Sequence, residues 1–263
     1  MTGIGIASIG LVGPGIANWQ DATAILRGNK PFEVHAEIPR ASSSLLPPNE
    51  RRRATKLTQM VLQCCEDALP KQARSDSGLT TVFASSCGDL ETVDKILQAL
   101  TTPDKPVSPT LFHNSVHNAP AGYWSIATRN QSASTSISAH DSSFAAGLLE
   151  AMSQVQTGAG PTLLTAYDYT APPTLQRFRP LLAPFAVCLV LDRKPAHWTL
   201  VAELKTMTQF SHMEDTGLEM LRTGNPAARC LPLLASIAAN LEGEVTIPYL
   251  SNLGLALTIR RDD

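Results

Sequence analysis

Apolar residues fall into two alternating patterns along this chain: short dense runs, and longer stretches with helical spacing. Residues 3–12, Gly-Ile-Gly-Ile-Ala-Ser-Ile-Gly-Leu-Val, form a dense run closed by Gly13-Pro14-Gly15, which predicts a buried strand. Asn18 to Arg27 predicts a helix stopped at Gly28. A Ser/Pro-rich loop at 39–49 leads into a predicted helix from Glu50 to Leu69, apolar at Ala54, Leu57, Val61, Leu62, Cys65 and Leu69. Leu79–Ala84 predicts a strand and Leu90–Leu100 a helix. A loop with three prolines at 101–109 then precedes an aromatic-rich segment from Thr110 to Ile126.

The second part repeats the alternation. Ser134 to Ala151 reads as a Ser/Thr/Ile strand, a tight polar turn and an Ala/Leu helix that runs to about 157. Strands are predicted at Thr162–Ala166, Ala186–Leu191 and Thr199–Leu204, and helices at Glu214–Leu221 and Ala227–Leu241. A strand pair, Glu244–Tyr249 and Gly254–Ile259, ends the chain. Strands alternating with helices predict an α/β sandwich with buried sheets. With no internal repeat, low-complexity tail or linker, residues 1–263 read as one domain.

Composition narrows the partners. The net charge is −2 and the longest basic block is Arg51-Arg52-Arg53, a solvated helix start, so nucleic acid is not an expected partner. Five cysteines (Cys64, Cys65, Cys87, Cys188, Cys230) lack metal-type spacing and read as reduced, mostly buried thiols of a cytoplasmic protein. No stretch has the length and apolarity of a membrane span, and no charged region opens a signal peptide. The early glycines do not form a Gly-x-Gly-x-x-Gly fingerprint, so no nucleotide cofactor is expected.

The turn in Ser138-Ala-His-Asp-Ser-Ser143 has the layout that presents a nucleophile at a helix N-terminus, yet it contains no cysteine. His140, Asp141 and Ser142 have the residue types of a hydrolytic triad. They are consecutive, however, and a triad is assembled from different segments. Asp141 reads as the N-cap of the following helix. Cys87, in Ser85-Ser-Cys-Gly88, follows a strand and has His113 and His117 downstream; it reads as a small residue in a close-packed loop. His113 and His117 have the i,i+4 spacing of a two-histidine metal face, but no Glu accompanies them and Pro120 follows within a turn, so no metal is expected.

These pieces together resemble the β-ketoacyl synthase family. Gly3 to Ile16 is similar to that family's opening strand, with Trp19 on the helix after it and Leu26-Arg-Gly-Asn29 at its end. Val82 to Glu91 resembles the strand and glycine loop before the dimer interface. Ser108 to Tyr123 resembles the segment that crosses the interface and borders the neighbour's acyl pocket. Ala183 to Asp192 resembles the strand closing the first half. The Ser138–Ser143 run resembles the family's active-site turn, with Asp141 at the cysteine position, or His140 if the register shifts by one.

The resemblance implies a thiolase-like αβαβα sandwich with a truncated second half, residues 1–192 answering to the family's first half and 193–263 to a remnant holding about one helix and a strand pair. The family's second-half histidine motifs have no counterpart; His197 and His212 match neither. Claisen condensation needs a thiolate to carry the acyl chain and imidazoles to stabilise the enolate, and this chain lacks both.

The implied function is that of a non-catalytic, chain-length-factor-like subunit, as in aryl polyene and related type II polyketide systems. It would pair as a heterodimer with a catalytic β-ketoacyl synthase through 108–126 and the strand near 135–139. Phe112, His113, Asn114, Val116, His117, Asn118, Tyr123 and Trp124 would line the interface and acyl pocket, with Phe112, Tyr123 and Trp124 as apolar anchors. An acyl carrier protein would be an indirect partner. Two other readings stay open: a stand-alone acyl-thioester enzyme (malonyl decarboxylase or thioesterase) using Asp141, His140 or Cys87, and a carrier-protein docking module.

Overall fold

The structure, a computed structural model, describes residues 3–39, 45–69, 78–158, 160–194 and 196–261. Its strands are β1 (Ile4–Val12), β2 (Thr80–Ala84), β3 (Ser134–Ile137), β4 (Thr162–Asp168), β5 (Phe185–Asp192), β6 (Trp198–Thr206), β7 (Gly243–Leu250) and β8 (Leu253–Arg261). Its helices are α1 (Trp19–Leu26), α2 (Pro48–Arg53), α3 (Lys56–Ala68), α4 (Leu90–Leu100), α5 (Pro109–Asn114), α6 (Ala119–Thr128), α7 (Ser143–Thr157), α8 (Pro173–Gln176), α9 (Thr216–Gly224) and α10 (Leu231–Ala238). Short 3-10 turns at His140–Ser142 and Pro226–Cys230 lead into α7 and α10.

The strands form one mixed sheet in the order β3-β2-β4-β5-β1-β6-β8-β7. β2 is parallel to both β3 and β4, and every other pair is antiparallel. Alternation along β2, β4 and β5 sends side chains to two cores, as a strand buried on both faces requires. Phe83, Leu163, Tyr167, Ala186 and Cys188 pack beneath α3 and α6. Val82, Leu164, Phe185, Val187 and Leu189 pack on the other face with residues of α7 and α10.

α7 touches β2 and β4 near one end of the sheet and β7 at the other, so the sheet wraps around it. Gly147 permits that approach, because a Cβ there would stand 2.7 Å from the Ala84 Cβ. The layers run α3/α6, sheet, α7/α10, sheet. The outer face of β6-β8-β7 bears Glu203, Lys205, Glu244 and Arg260, and Lys205 Nζ pairs with Glu203 and Glu244 at 3.4 and 2.9 Å. No helix among the described residues covers that face. The fold is therefore the thiolase-like α/β type.

Two expectations are corrected by local chemistry. The helix expected from Glu50 to Leu69 is broken at Ala54, whose backbone is extended, and Thr55 starts α3 afresh by accepting the Thr58 N–H. The described residues after Asp192 hold three strands and two α-helices, the elements their own pattern predicts, where the family resemblance implied about one helix and a strand pair; β6 joins β1 directly.

Candidate functional site

The parallel strands β2, β3 and β4 end together, and a polar cluster collects at their C-terminal ends, the side of a parallel sheet where loops build sites. Asp168 closes β4 and is fully buried. Its Oδ1 accepts from Ser85 Oγ at 3.0 Å, Ser86 N at 2.8 Å and Ser86 Oγ at 2.7 Å, whereas Oδ2 has no partner. Burial pushes its carboxyl up to about 6, against the three hydrogen bonds and the Arg179 charge that pull it down. The Ser85 hydroxyl also accepts the Gly88 N–H at 3.0 Å, and Gly88 takes φ +64°, so the Ser85–Gly88 loop folds tightly over the carboxylate.

Ser138, just past β3, donates to the Ser86 carbonyl at 3.0 Å and ties this loop to the polar turn. His140 adopts φ +51°, left-handed backbone uncommon for a side chain larger than glycine. It is the residue at which the chain passes from β3 into the turn that leads to α7. The helix start is held by Ser143, whose Oγ donates to the His140 carbonyl at 2.7 Å and accepts the Ala139 N–H at 3.0 Å.

Asp141 is not the helix cap expected of it. Its carboxylate points away from the helix and pairs with Arg179 Nη1 at 2.7 Å. The same nitrogen lies 3.1 Å from His140 Nε2. Ser142 Oγ donates to the Tyr249 carbonyl, so the second half of the chain braces the turn. Asp168 and Arg179 were absent from the sequence-derived candidates. The available signal was a carboxylate ending Thr162–Tyr167, a run that is otherwise apolar or Thr.

Cys87 is half-buried, its Sγ 3.2 Å from Ser86 Oγ. Burial raises its thiol, and Ser86 and Arg179 pull the other way. Cys64, Cys65, Cys188 and Cys230 are fully buried.

The expected interface segment divides between surface and interior. Phe112 is 66% exposed and Val116 48%, and Ile126, outside the expected set, is 54% exposed. Tyr123 and Trp124 lie in the core under α3, 1% and 0% exposed, so neither reaches the surface as an anchor. Helical periodicity sends Gly122, Ser125 and Ile126 outward and turns those two rings inward. Asn114 is also buried and donates to the Arg53 carbonyl at 2.8 Å, fixing α5 to α2.

The two histidines are engaged separately. His113 meets the Tyr123 ring edge-on at 5.7 Å, and His117 Nε2 lies 3.0 Å from the Ser85 carbonyl oxygen. Among the described residues no three His, Cys, Asp or Glu side chains gather as metal ligands.

Next to this segment, β3 forms the edge of the sheet. A groove of about 570 Å³ runs between it and α6, lined by His117, Asn118, Ala121, Gly122, Ser125, Ser134 and Ser136. Thr81 N–H donates to the Ala133 carbonyl and Ser85 N–H to the Ile137 carbonyl. In a parallel ladder the intervening Ser134 and Ser136 therefore aim their backbone groups outward. No helix among the described residues is long and apolar enough to cross a membrane.

Residues 19–241 match the family model described as "Beta-ketoacyl synthase, N-terminal domain". Among solved structures, the chain is similar to a chain of the complex between a ketosynthase (ApeO) and its chain length factor (ApeC) from Xenorhabdus doucetiae. The TM-score is 0.77 and the identity 20%, covering 98% of this chain and 100% of that one. It is similar to the ishigamide ketosynthase/chain length factor (TM-score 0.75, identity 12%, all of both chains). A β-ketoacyl synthase from Burkholderia phymatum STM815 matches with TM-score 0.70 and identity 12%, again over all of both chains. Comparison with curated proteins gives no match.

Proposed function

The chain belongs to the β-ketoacyl synthase family, and we propose that it serves as the non-catalytic, chain-length-factor-like partner of a catalytic β-ketoacyl synthase. The two form a heterodimer in which this chain completes the partner's acyl pocket. It thereby shapes the chain built on an acyl carrier protein, in polyketide synthesis of the aryl polyene type or in fatty-acyl elongation.

The observation that carries this reading is a thiol-free turn standing directly behind an open sheet edge. Without a thiol at His140 or Asp141 the turn has nothing on which to hold an acyl group, and Arg179 occupies both side chains. The backbone of Ser134 and Ser136 offers donors and acceptors to a strand from another chain, the mode of pairing by strand addition. Beside it Phe112, Val116 and Ile126 present apolar side chains of the kind an interface covers. The similarity to chains from ketosynthase/chain length factor complexes supports the same assignment.

The test is co-expression with a full-length β-ketoacyl synthase and an acyl carrier protein of the same organism. Stable co-purification is expected, together with a product length distribution that shifts in Phe112→Ala. A chain that stays a monodisperse monomer beside that ketosynthase refutes the pairing. An unchanged product distribution from an intact complex reduces the role to docking.

A further inference from the structure

Apart from the pairing role, the Ser85–Gly88 loop assembles a chain of groups around the half-buried Cys87. Ser86 has a single hydroxyl proton, and it is donated to Asp168 Oδ1 at 2.7 Å. The 3.2 Å contact between Ser86 Oγ and Cys87 Sγ therefore has the thiol as its donor. This gives a directed path, Cys87 S–H to Ser86 Oγ–H to Asp168. Asp168 is fully buried, and its Oδ2 has no partner, so the carboxylate retains full capacity for a proton. Arg179 reaches Cys87 as well: its guanidinium hydrogen-bonds the sulfur and its charge favours the thiolate, while its Nε and Nη2 are buried. An unpaired buried acceptor is costly, and a site for a reacting group is one account of its retention.

We propose that Cys87 is a thiol nucleophile that exchanges acyl groups with acyl thioesters, with Ser86 and Asp168 as its proton relay and Arg179 as the oxyanion donor. The Cys87 proton moves to Ser86 Oγ as the Ser86 proton moves to Asp168. The sulfur then attacks the thioester carbonyl carbon, and the Arg179 guanidinium that held the sulfur faces the negative charge on the resulting oxyanion. As the tetrahedral adduct collapses, the carbon–sulfur bond to the leaving thiol breaks, and that thiol takes the proton back along the relay. One thioester and one thiol become another thioester and thiol, so no oxidant or further reactant is needed. The exchange replaces one carbon–sulfur bond by another and is close to thermoneutral, which suits a thiol raised by burial; amides and oxygen esters give no such balance. Ser86 and Asp168 act through Cys87 and are positioning residues. The reading does not depend on pairing with a ketosynthase.

The experiment uses the full chain alone with butyryl-N-acetylcysteamine, followed by intact-mass and peptide-mapping mass spectrometry from pH 6 to 9. A single butyryl adduct on Cys87 is expected, absent in Cys87→Ser, because the other four thiols are fully buried. The relay makes the acylation rate nearly flat above pH 7, once Asp168 is ionised. Without it, in Ser86→Ala or Asp168→Asn, the rate climbs about tenfold per pH unit, following the thiolate fraction. If Asp168→Asn fails to fold, Ser86→Ala decides the point. No Cys87 adduct at any pH overturns the proposal. So does the same pH slope in wild type and Ser86→Ala.

Discussion

Arg179 Nη1 donates to Asp141 Oδ1 at 2.7 Å and lies 3.1 Å from His140 Nε2, so one guanidinium holds two successive residues of the strand-to-helix turn. Asp141 is 53% exposed, and an ion pair so open to water is worth no more than about 1 kcal/mol. Asp141→Asn should therefore lower stability by at most about 1 kcal/mol in urea unfolding, and by less in high salt. A loss several times larger would mean that Asp141 holds the turn by some other contact.

His140 is expected to limit stability. Left-handed backbone costs a side-chain-bearing residue on the order of 1 kcal/mol, and glycine escapes that cost. His140→Gly should raise unfolding free energy by about 1 kcal/mol, less whatever the 3.1 Å contact with Arg179 contributes. His140→Val, branched at Cβ, should lower it. If the glycine variant proves clearly less stable, the strain assignment is wrong.

The strands and most helices were legible because their signals are local. β5, Phe185–Asp192, is apolar almost throughout and buried on both faces, and Asn18 and Asp89 announce the starts of α1 and α4 with their cap bonds. Boundaries set by competition were not legible: Thr55 could continue a helix or cap a new one, and only packing decides. The segment at 108–126 was legible as important but not as to which face looks outward. Trp124 and Phe112 are equally apolar in sequence, and one lies in the core while the other is in solvent. Cys87 was a candidate in the sequence, but its grouping with Asp168 and Arg179 was not legible, since the three come from segments that only the sheet order brings together.

Asp168 should leave a signature in the pH dependence of stability. Below about pH 4 its carboxyl is protonated in the folded and the unfolded chain alike. Between about pH 4 and 6 the unfolded chain releases the proton, whereas the folded chain, with its pKa raised to about 6, still holds it. Folded-state stability from this group is therefore lost as pH rises, by an amount on the order of 3 kcal/mol that is complete above pH 6. Asp168→Asn abolishes that decline, so the stability difference between wild type and variant should shift by this order between pH 4 and 6.5. Asp67, also raised by burial, is common to both chains and cancels. A difference independent of pH would show that Asp168 titrates normally.

The open edge of β3 allows pairing to be separated from folding. Ala133 and Ile137 turn their carbonyls to β2, and Ser136 between them turns its N–H outward. Ser136→Pro therefore removes a donor that the chain's own ladder does not use, and proline is tolerated on an edge strand whose N–H faces solvent. The isolated variant should keep its circular dichroism, with a melting temperature within a few degrees of wild type. Its complex with the ketosynthase should weaken at least tenfold, since a strand joined across the interface loses a main-chain hydrogen bond and meets the proline ring instead. Thr135→Pro is the contrasting variant, because its N–H faces β2, and it should damage the fold itself. Calorimetric titration of the partner into wild type and Ser136→Pro measures the difference. Equal affinity would place the contact away from β3 and leave only the apolar surface at Phe112, Val116 and Ile126 to carry the pairing.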